Sequence, residues 1–225
     1  MERLAENRGV VGGREVSPEG KVGGGGKALG LFYSYYDTLS DVTSEDEDSD
    51  GENVSCVVEE VFIPPVNFAM VEKGIYRSGY PSERNFDFLK KLQLKSILYL
   101  VPEDRGQSYR NFVDEMGIRI FDYGMEGNKE PFLEIPEDTV RDALSVILDS
   151  RNHPMLIHCN KGKHRTGCVV GILRKIQNWS LTSVFDEYRR FAGTKARMLD
   201  QQYIELISIM NIRYERKFLP SWLLH

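Results

Sequence analysis

The amino-acid sequence predicts an α/β domain in which a mostly parallel central sheet is flanked by helices, preceded by a disordered tail. Short apolar runs alternate with longer segments whose apolar residues recur at helical spacing, which favours parallel strands joined by helices. The chain's 225 residues suffice for one such domain. Residues 1–55 contain a glycine run and an acidic block but too few apolar residues to form a core, which predicts disorder.

The first half of the domain contains four predicted strands and two predicted helices. The strand assigned to residues 96–101 is apolar throughout after Ser96, which is typical of a central strand covered on both faces. Ser82 is a candidate N-cap for a helix, and a second helix is predicted to stop at Gly117. The other assignments are strands over 57–63, 74–79 and 118–123, a helix with the apolar face Phe86, Leu89 and Leu92, and a helix over 109–116.

The second half begins with an amphipathic helix over 137–150, where apolar residues repeat at positions i, i+3, i+4, i+7 and i+8. A strand over 154–158 and a helix over 166–177 follow, and Ser180 and Asp200 are candidate N-caps for two further helices. Ligands of parallel sheets bind at the C-terminal ends of the strands. The loop after the 154–158 strand is therefore the candidate site.

Composition limits the domain organisation and the compartment. We divide the chain into a tail over 1–55, a folded domain over 56–215 and a C-terminal tail over 216–225. The three cysteines, Cys56, Cys159 and Cys168, do not match a disulfide framework or a zinc site. No apolar run reaches membrane-spanning length, and the N-terminus lacks a secretory signal. We therefore expect a reducing intracellular compartment, the cytoplasm or the nucleus, and we expect no membrane span.

Charge is unevenly distributed along the chain. Residues 41–52 carry seven acids and no base, and without them the formal net charge of −5 becomes +2. The rest of the chain is therefore mildly basic, and its basic residues crowd the loop after the 154–158 strand. This distribution favours a small anionic ligand at that loop; nucleic acid is not an expected partner, and the sequence identifies none for the tail.

The loop over residues 159–165, here called the signature loop, combines a nucleophile with groups that bind phosphate. Backbone amides and the positive end of the helix dipole would stabilise a Cys159 thiolate, which could attack phosphorus and form a thiophosphoryl intermediate. Arg165 can bind two phosphate oxygens through its planar guanidinium. His158 is predicted to be a structural hydrogen-bonding group. Thr166 either donates its hydroxyl to the sulfur or caps the following helix.

The pattern His-Cys-x5-Arg-Thr-Gly resembles the signature of cysteine-dependent phosphatases, and residues from about 61 to 210 resemble the dual-specificity phosphatase domain of the protein tyrosine phosphatase superfamily. The segments 127–132, 159–165 and 185–188 are similar to plant and fungal atypical members. This resemblance implies Cys159 as the phosphocysteine nucleophile and Arg165 as the stabiliser of the transition state. It also implies that inositol pyrophosphates are the substrate, cleaved at a phosphoanhydride without a metal or cofactor.

The signature loop carries more positive charge than one phosphate requires. Lys161, Lys163 and His164 stand beside Arg165. Since each charge-assisted contact with phosphate is worth roughly 1.5–3 kcal/mol, these extra cations suit a ligand with several phosphates. The alternative is that the lysines are solvated surface charges. The remaining predicted substrate contacts in this loop are Asn160 and Gly162.

An expected acid is missing from an upstream segment. The family's general-acid aspartate aligns with Lys129 in this chain, and a lysine is a poor proton donor. A phosphate leaving group has a pKa of about 6 and needs a proton far less than an alkoxide does, so anhydride cleavage tolerates this loss. Lys129 would instead bind a further phosphate. Asn128 and the Gly127 amide would assist it, and Glu130, Glu126 and Asp122 are fallback acids.

Three other functions remain open. A phosphatase acting on phosphotyrosine or other phosphoproteins is the nearest alternative. A phosphate-binding scaffold without turnover is another alternative, but the intact Cys159, Arg165 and Thr166 argue against it, because a binder has no need of a nucleophile. A rhodanese-like or arsenate-reductase-like enzyme shares a cysteine loop, but the weak case for a resolving cysteine and the phosphatase-like segments argue against it.

Overall fold

A computed structural model of the chain describes residues 61–128 and 135–224. Within these residues five strands form one sheet in the order β1-β2-β5-β3-β4. The edge strand β1 is antiparallel to β2, and the other neighbours are parallel, which confirms the predicted mostly parallel sheet. The strands are β1 (Ala69–Glu72), β2 (Ile75–Ser78), β3 (Ser96–Tyr99), β4 (Arg119–Asp122) and β5 (Met155–His158).

The described residues contain six α-helices, and most lie where the sequence predicts them. They are α1 (Phe86–Lys91), α2 (Gln107–Glu115), α3 (Glu137–Ile147), α4 (His164–Ile176), α5 (Leu181–Ala192) and α6 (Met198–Leu206). Short 3-10 helices occupy Glu83–Asn85, Ser150–Asn152, Gly193–Lys195, Arg216–Phe218 and Ser221–Leu223. None of the helices described is long and apolar enough to cross a membrane.

The two central strands are buried on both faces, as the sequence predicts for residues 96–101. Alternate side chains of a strand point to opposite faces, so each strand contributes to two cores. Ile97 and Leu156 pack with residues of α1 and α2. Leu98 and Ile157 pack on the other face with α3, α4, α5 and α6. This burial fixes the C-terminal ends of β3 and β5 side by side.

The predicted first strand is wrong where the structure describes it. Residues 61–63 form no strand, and 57–60 lie outside the described residues. The edge strand is instead β1, in which only Val71 is buried and Met70 is 64% exposed. A four-residue edge strand with one buried side chain carries too little alternation to be recognised from sequence.

Of the two predicted helix caps near the C-terminus, one is observed. The Ser180 hydroxyl accepts a hydrogen bond from the Ser183 amide at 3.2 Å, at the start of α5. Asp200 is not a cap, because it is the third residue of α6, whose cap position is Arg197. The Asp200 side chain is fully buried. Asp200 therefore has a role in the protein interior and does not initiate α6.

The chain termini differ in what the structure describes. The predicted tail over 1–55 and Cys56 lie outside the described residues. At the other end, Leu219, Trp222 and Leu223 pack against the core on the α3 side of the sheet. These three side chains contact the domain, although they belong to the segment 216–225 that the sequence analysis assigns to a C-terminal tail.

Candidate active site

The signature loop joins β5 to α4 at the C-terminal edge of the sheet, as the sequence predicts. Cys159 directly follows β5, and α4 begins at His164. The cysteine is 3% exposed. The amides of the first helical turn have no partners inside the helix, so they and the helix dipole face the region of the loop. This is an anion-binding arrangement with a thiol at its base.

Hydrogen bonds from outside the loop hold three consecutive loop carbonyls. The donors come from the segment around β2, which lies beside β5 in the sheet. With the carbonyl oxygens held on that side, the loop amides are left to face the opposite side, where a phosphate would be bound. The three bonds run from the Tyr80 amide to Asn160 (3.1 Å), from the Asn67 side-chain amide to Lys161 (2.8 Å) and from the Arg77 guanidinium to Gly162 (2.9 Å).

Gly162 lies where the loop comes closest to the turn after β2. Its φ is +65°, a conformation that disfavours side chains. A Cβ atom at this position would lie 2.6 Å from the backbone carbonyl carbon and oxygen of Ser78. Glycine is therefore required here for both backbone conformation and space.

The Arg165 guanidinium is fixed by the neighbouring loops. Its Nη1 donates to the carbonyl oxygens of Leu100 and Met125, at 3.2 Å each. These carbonyls follow β3 and β4, so one side chain connects three loops at the same edge of the sheet. Within the described residues the other guanidinium nitrogens have no partner. The predicted phosphate-binding group is thus held in place with donors still available.

His158 is a buried neutral group. Its side chain is fully buried, and its Nε2 lies 2.7 Å from the Tyr109 hydroxyl. Burial lowers the pKa of His158 to about 3, so the ring is uncharged at neutral pH. It packs among the rings of Tyr80, Tyr99 and Tyr109. The geometry suits the structural role that the sequence assigns to this histidine.

Thr166 does not cap α4, because it is the third helical residue and Lys163 occupies the cap position. That alternative is wrong. Its hydroxyl is buried and has no hydrogen-bonding partner in the part of the chain that the structure describes. The hydroxyl therefore remains available for the predicted bond to the Cys159 sulfur.

A buried carboxylate, missed by the sequence analysis, connects the signature loop to the rest of the site. The Asp200 side chain is fully buried and lies 3.0 Å from Nδ1 of His164. It also accepts hydrogen bonds from the Tyr188 hydroxyl (2.6 Å) and the Asn128 amide (2.9 Å). Burial favours the protonated acid, but these hydrogen bonds outweigh it and keep the pKa of Asp200 below its ordinary value. His164 is therefore held by an ionised partner.

Asn128 belongs to the same network. The residue is 2% exposed, and its Oδ1 accepts a hydrogen bond from the Ile135 amide at 2.9 Å. Its carbonyl accepts one from Nη1 of Arg197 at 3.1 Å. The structure therefore gives the Asn128 side chain a positioning role in place of the predicted contact with substrate. Gly127 beside it is also buried. No local pattern reveals this role, because Asp200 lies 72 residues away.

The predicted cations of the signature loop lie at the surface of the site. Asn160 and Lys161 are exposed, and Lys163 is half-buried. Neither lysine forms an ion pair within the residues described, so both can bind an anionic ligand. Lys129 lies outside the described residues.

The fallback acids gain little support from the structure. Glu130 lies outside the described residues, and Glu126 is exposed. Both carboxylate oxygens of Asp122 are already bound, one by Arg105 at 3.0 Å and the other by the Gly124 amide at 3.2 Å. These contacts favour a structural role for Asp122 over proton donation.

Comparisons with known proteins agree on one family. Residues 62–225 match the tyrosine phosphatase family. Inositol diphosphatase DSP4 of Arabidopsis thaliana is 55% identical over 69% of this chain and 78% of its own length. The probable tyrosine-protein phosphatase DG1060 of Dictyostelium discoideum is 50% identical over 72% of this chain and 96% of its own length. The crystal structure of the core catalytic domain of the PP-IP phosphatase SIW14 from S. cerevisiae, in complex with citrate, is 53% identical, with a TM-score of 0.63 over 66% of this chain and 89% of that one.

Replacing Gly162 with alanine should destabilise the protein more than the same change at Gly117. Both glycines have positive φ, +65° and +62°, so both variants incur the backbone penalty of roughly 1–2 kcal/mol. At Gly117 a Cβ would meet no atom within 4 Å, whereas at Gly162 it meets the Ser78 backbone. Urea unfolding of both variants measures the difference. Equal losses would mean that the close approach to Ser78 does not constrain the loop.

Lowering the pH from 7 to 5 should lower the free energy of unfolding, in part through His158. Its pKa is lowered from 6.5 to about 3, so its contribution is complete above pH 6.5 and is lost as the pH falls toward 3. The expected slope is about 1.4 kcal/mol per pH unit for each such histidine. Burial also lowers the pKa of His153, which acts in the same direction.

Urea unfolding of a His158→Gln variant across this range should show a smaller slope than the unmodified protein. A Tyr109→Phe variant keeps the histidine buried and should keep the slope. Equal slopes for the His158→Gln variant and the unmodified protein would contradict the assignment of a buried neutral ring.

Proposed function

Because this chain belongs to the tyrosine phosphatase family, we propose that it hydrolyses the phosphoanhydride of inositol pyrophosphates through a phosphocysteine intermediate. The chain is a cysteine-based phosphatase, and its signature loop has the nucleophile and the arginine of that chemistry. Relatives named inositol diphosphatases in plants and yeast support the choice of substrate.

The reaction follows from the arrangement of the loop. The Cys159 thiolate attacks the terminal phosphorus, an S–P bond forms, and the anhydride P–O bond breaks to release the inositol phosphate. Arg165 and the loop amides stabilise the non-bridging oxygens as charge shifts during transfer. Water then attacks the phosphorus of the phosphocysteine, and the S–P bond breaks to regenerate the Cys159 thiolate. The water oxygen becomes part of orthophosphate, and the two water protons go to the orthophosphate or to solvent. The Thr166 hydroxyl is available to stabilise the departing thiolate.

The charge of the signature loop is the observation that carries the substrate assignment. Lys161 and Lys163 add two cations to Arg165, and neither has an ion-pair partner among the described residues. Burying or neutralising a cation would be expected if its role were structural. Unpaired cations at the rim of a phosphate-binding loop instead suit a ligand that carries phosphates beyond the one transferred.

The leaving group fits the sequence of the upstream segment. In place of the family's aspartate the aligned residue is Lys129, and Asp122 is already bound by Arg105. An alkoxide needs a proton from such an acid, whereas a phosphate with a pKa of about 6 leaves as an anion. The absence of the aligned aspartate therefore favours anhydrides over alkyl monoesters. Lys129 would stabilise the departing phosphate or a neighbouring one.

A protein tyrosine phosphatase is the second candidate. The name of the Dictyostelium relative, a probable tyrosine-protein phosphatase, favours it. A phenolate leaves more readily than an alkoxide, so phosphotyrosine would also tolerate the missing acid. For either substrate we propose the cytoplasm or the nucleus as the compartment, because the Cys159 thiolate must stay reduced.

Purified protein offered a pyrophosphorylated inositol, inositol hexakisphosphate and a phosphotyrosine peptide at equal concentrations should hydrolyse the pyrophosphate fastest. The reason is the combination of extra cations and a leaving group that needs no proton. Orthophosphate release measures the three rates. The matched control is Cys159→Ser, which keeps the loop but replaces the nucleophile and should abolish turnover. Faster hydrolysis of the peptide would reverse the order of the two candidates.

Replacing Lys129 with aspartate should shift the preference toward monoesters. An acid at this position could protonate an alkoxide or phenolate leaving group, while removal of a cation weakens binding of a polyphosphate. The ratio of kcat/KM for a phosphotyrosine peptide to that for the pyrophosphate is expected to rise about tenfold or more, within the range of general acid catalysis. Lys129→Ala separates the two effects, because it removes the cation without supplying an acid. An unchanged ratio in the aspartate variant would place Lys129 away from the leaving group.

A further inference from the structure

Arg77 is a buried arginine with few partners. It is the third residue of β2 and is 1% exposed. One guanidinium nitrogen donates to the Gly162 carbonyl at 2.9 Å, and the group stacks over the Phe191 ring at 3.7 Å. Its Nε has no hydrogen-bonding partner among the described residues, and the guanidinium forms no ion pair with any of them. A buried cation is normally retained only with a compensating anion nearby.

The sheet places Arg77 on the same side as the nucleophile. Arg77 pairs with Ile157 in the parallel register of β2 and β5. Cys159 follows two residues after Ile157, and both pack in the same core cluster, on the face covered by α4 and α5. Phe191, the ring on which Arg77 stacks, belongs to α5. The contact with Gly162 then places the guanidinium directly beneath the signature loop.

Three charged or titratable groups act on Arg77 from the elements that surround it. Glu187 of α5 and Cys159 favour its charged form, and Arg174 of α4 opposes it. Burial is the largest influence and lowers the pKa of Arg77 to about 10, so the group remains a cation at neutral pH.

The carboxylate among these groups already has a partner. Glu187 binds Arg174 through two hydrogen bonds, at 2.7 and 3.3 Å, and Arg174 also contacts Glu72 at 3.1 Å. The charge of Glu187 is therefore largely compensated by a closer arginine. Of the neighbours that favour a charged Arg77, only Cys159 lacks a cation bonded directly to it within the described residues.

We propose that Arg77 is the buried counter-ion of the Cys159 thiolate, a positioning residue that keeps the sulfur ionised from beneath the signature loop while Arg165 serves the phosphate. This inference rests on the proposed function only in requiring Cys159 to react as a thiolate. It assigns the two arginines different tasks. Arg165 is accessible to substrate oxygens, whereas Arg77 is buried and acts through the loop and the sulfur.

Separate arginines for the phosphate and for the sulfur have a physical advantage. A phosphorylated substrate brings negative charge close to a thiolate that must itself stay negative, and the two repel each other. A cation shared between them would be drawn toward the phosphate oxygens as the substrate binds. A buried guanidinium cannot follow the substrate, so it holds the sulfur in its ionised form throughout binding.

Thiolate reactivity without substrate tests the proposal. Iodoacetamide alkylates the thiolate and not the thiol, so the rate of Cys159 modification, followed by mass spectrometry across pH 4–9, reports its ionisation. In Arg77→Met the midpoint of this profile is expected to rise by about one pH unit, which slows alkylation about tenfold below the midpoint. A Cys159→Ser variant gives the background from Cys56 and Cys168.

Two further variants separate charge from structure. Arg77→Gln keeps an amide donor for the Gly162 carbonyl but removes the charge, and it should shift the profile as Arg77→Met does. Arg190→Met removes the same charge from an exposed position on α5 and should leave the profile unchanged. Because Arg77→Met and Arg77→Gln each remove a buried charge that is costly to desolvate, both variants should remain folded in a thermal unfolding scan.

The outcomes are distinct. The proposal would be overturned if the pH profile of Cys159 alkylation did not shift in folded Arg77 variants. It would also be overturned if both variants unfolded, because Arg77 would then serve to hold the loop together. A profile that shifts in a protein inactive on all three phosphorylated compounds would support the role of Arg77 and refute the proposed function.

Discussion

The site depends on the orientation of one short stretch of backbone. A loop can cradle a phosphate only if its amides face the ligand, and in this protein that orientation is secured by binding the carbonyls of 160–162 on the other side. Two of the three donors, Arg77 and Tyr80, lie in β2 or just after it, and the third, Asn67, lies just before β1. The strand order explains how these donors reach the loop. Because β2 lies directly beside β5, Arg77 and Tyr80 are close enough to bind the carbonyls of the loop that follows β5. Gly162 is the point at which this closeness excludes any side chain.

Much of the fold is readable from the sequence because its signals are local. The repeated apolar residues of α3 and the apolar run that follows Ser96 in β3 are each long enough to be recognised from the sequence. The predicted nucleophile, Cys159, and Arg165 are equally local, since one loop contains both. The edge strand β1 fails this condition, because only Val71 of its four residues is buried and its pairing with β2 depends on a bulged register.

The remaining features of the site come from contacts between distant residues. Asp200 looks like a helix cap in the sequence, and only the folded chain shows that it binds His164, Tyr188 and Asn128 in the interior. Asn128 is likewise misread from the sequence. Its sequence neighbours indicate a ligand-binding loop, whereas its side chain binds Ile135 and Asp200, which are 7 and 72 residues away. Polar groups that meet only after folding leave no periodic pattern in the sequence, so their roles are not predictable from residue spacing.

The hydrogen bond between Asn128 and Ile135 has a consequence for how this enzyme could acquire new substrates. It holds together the two chain ends that flank residues 129–134, and the Asp200 carboxylate ties the same asparagine to α4 and α5. A segment whose ends are closed by the scaffold can change in length at little entropic cost, about 0.6 kcal/mol for each doubling. Changes to the sequence between Asn128 and Ile135 are therefore expected to leave Cys159 and the residues that support its loop in place.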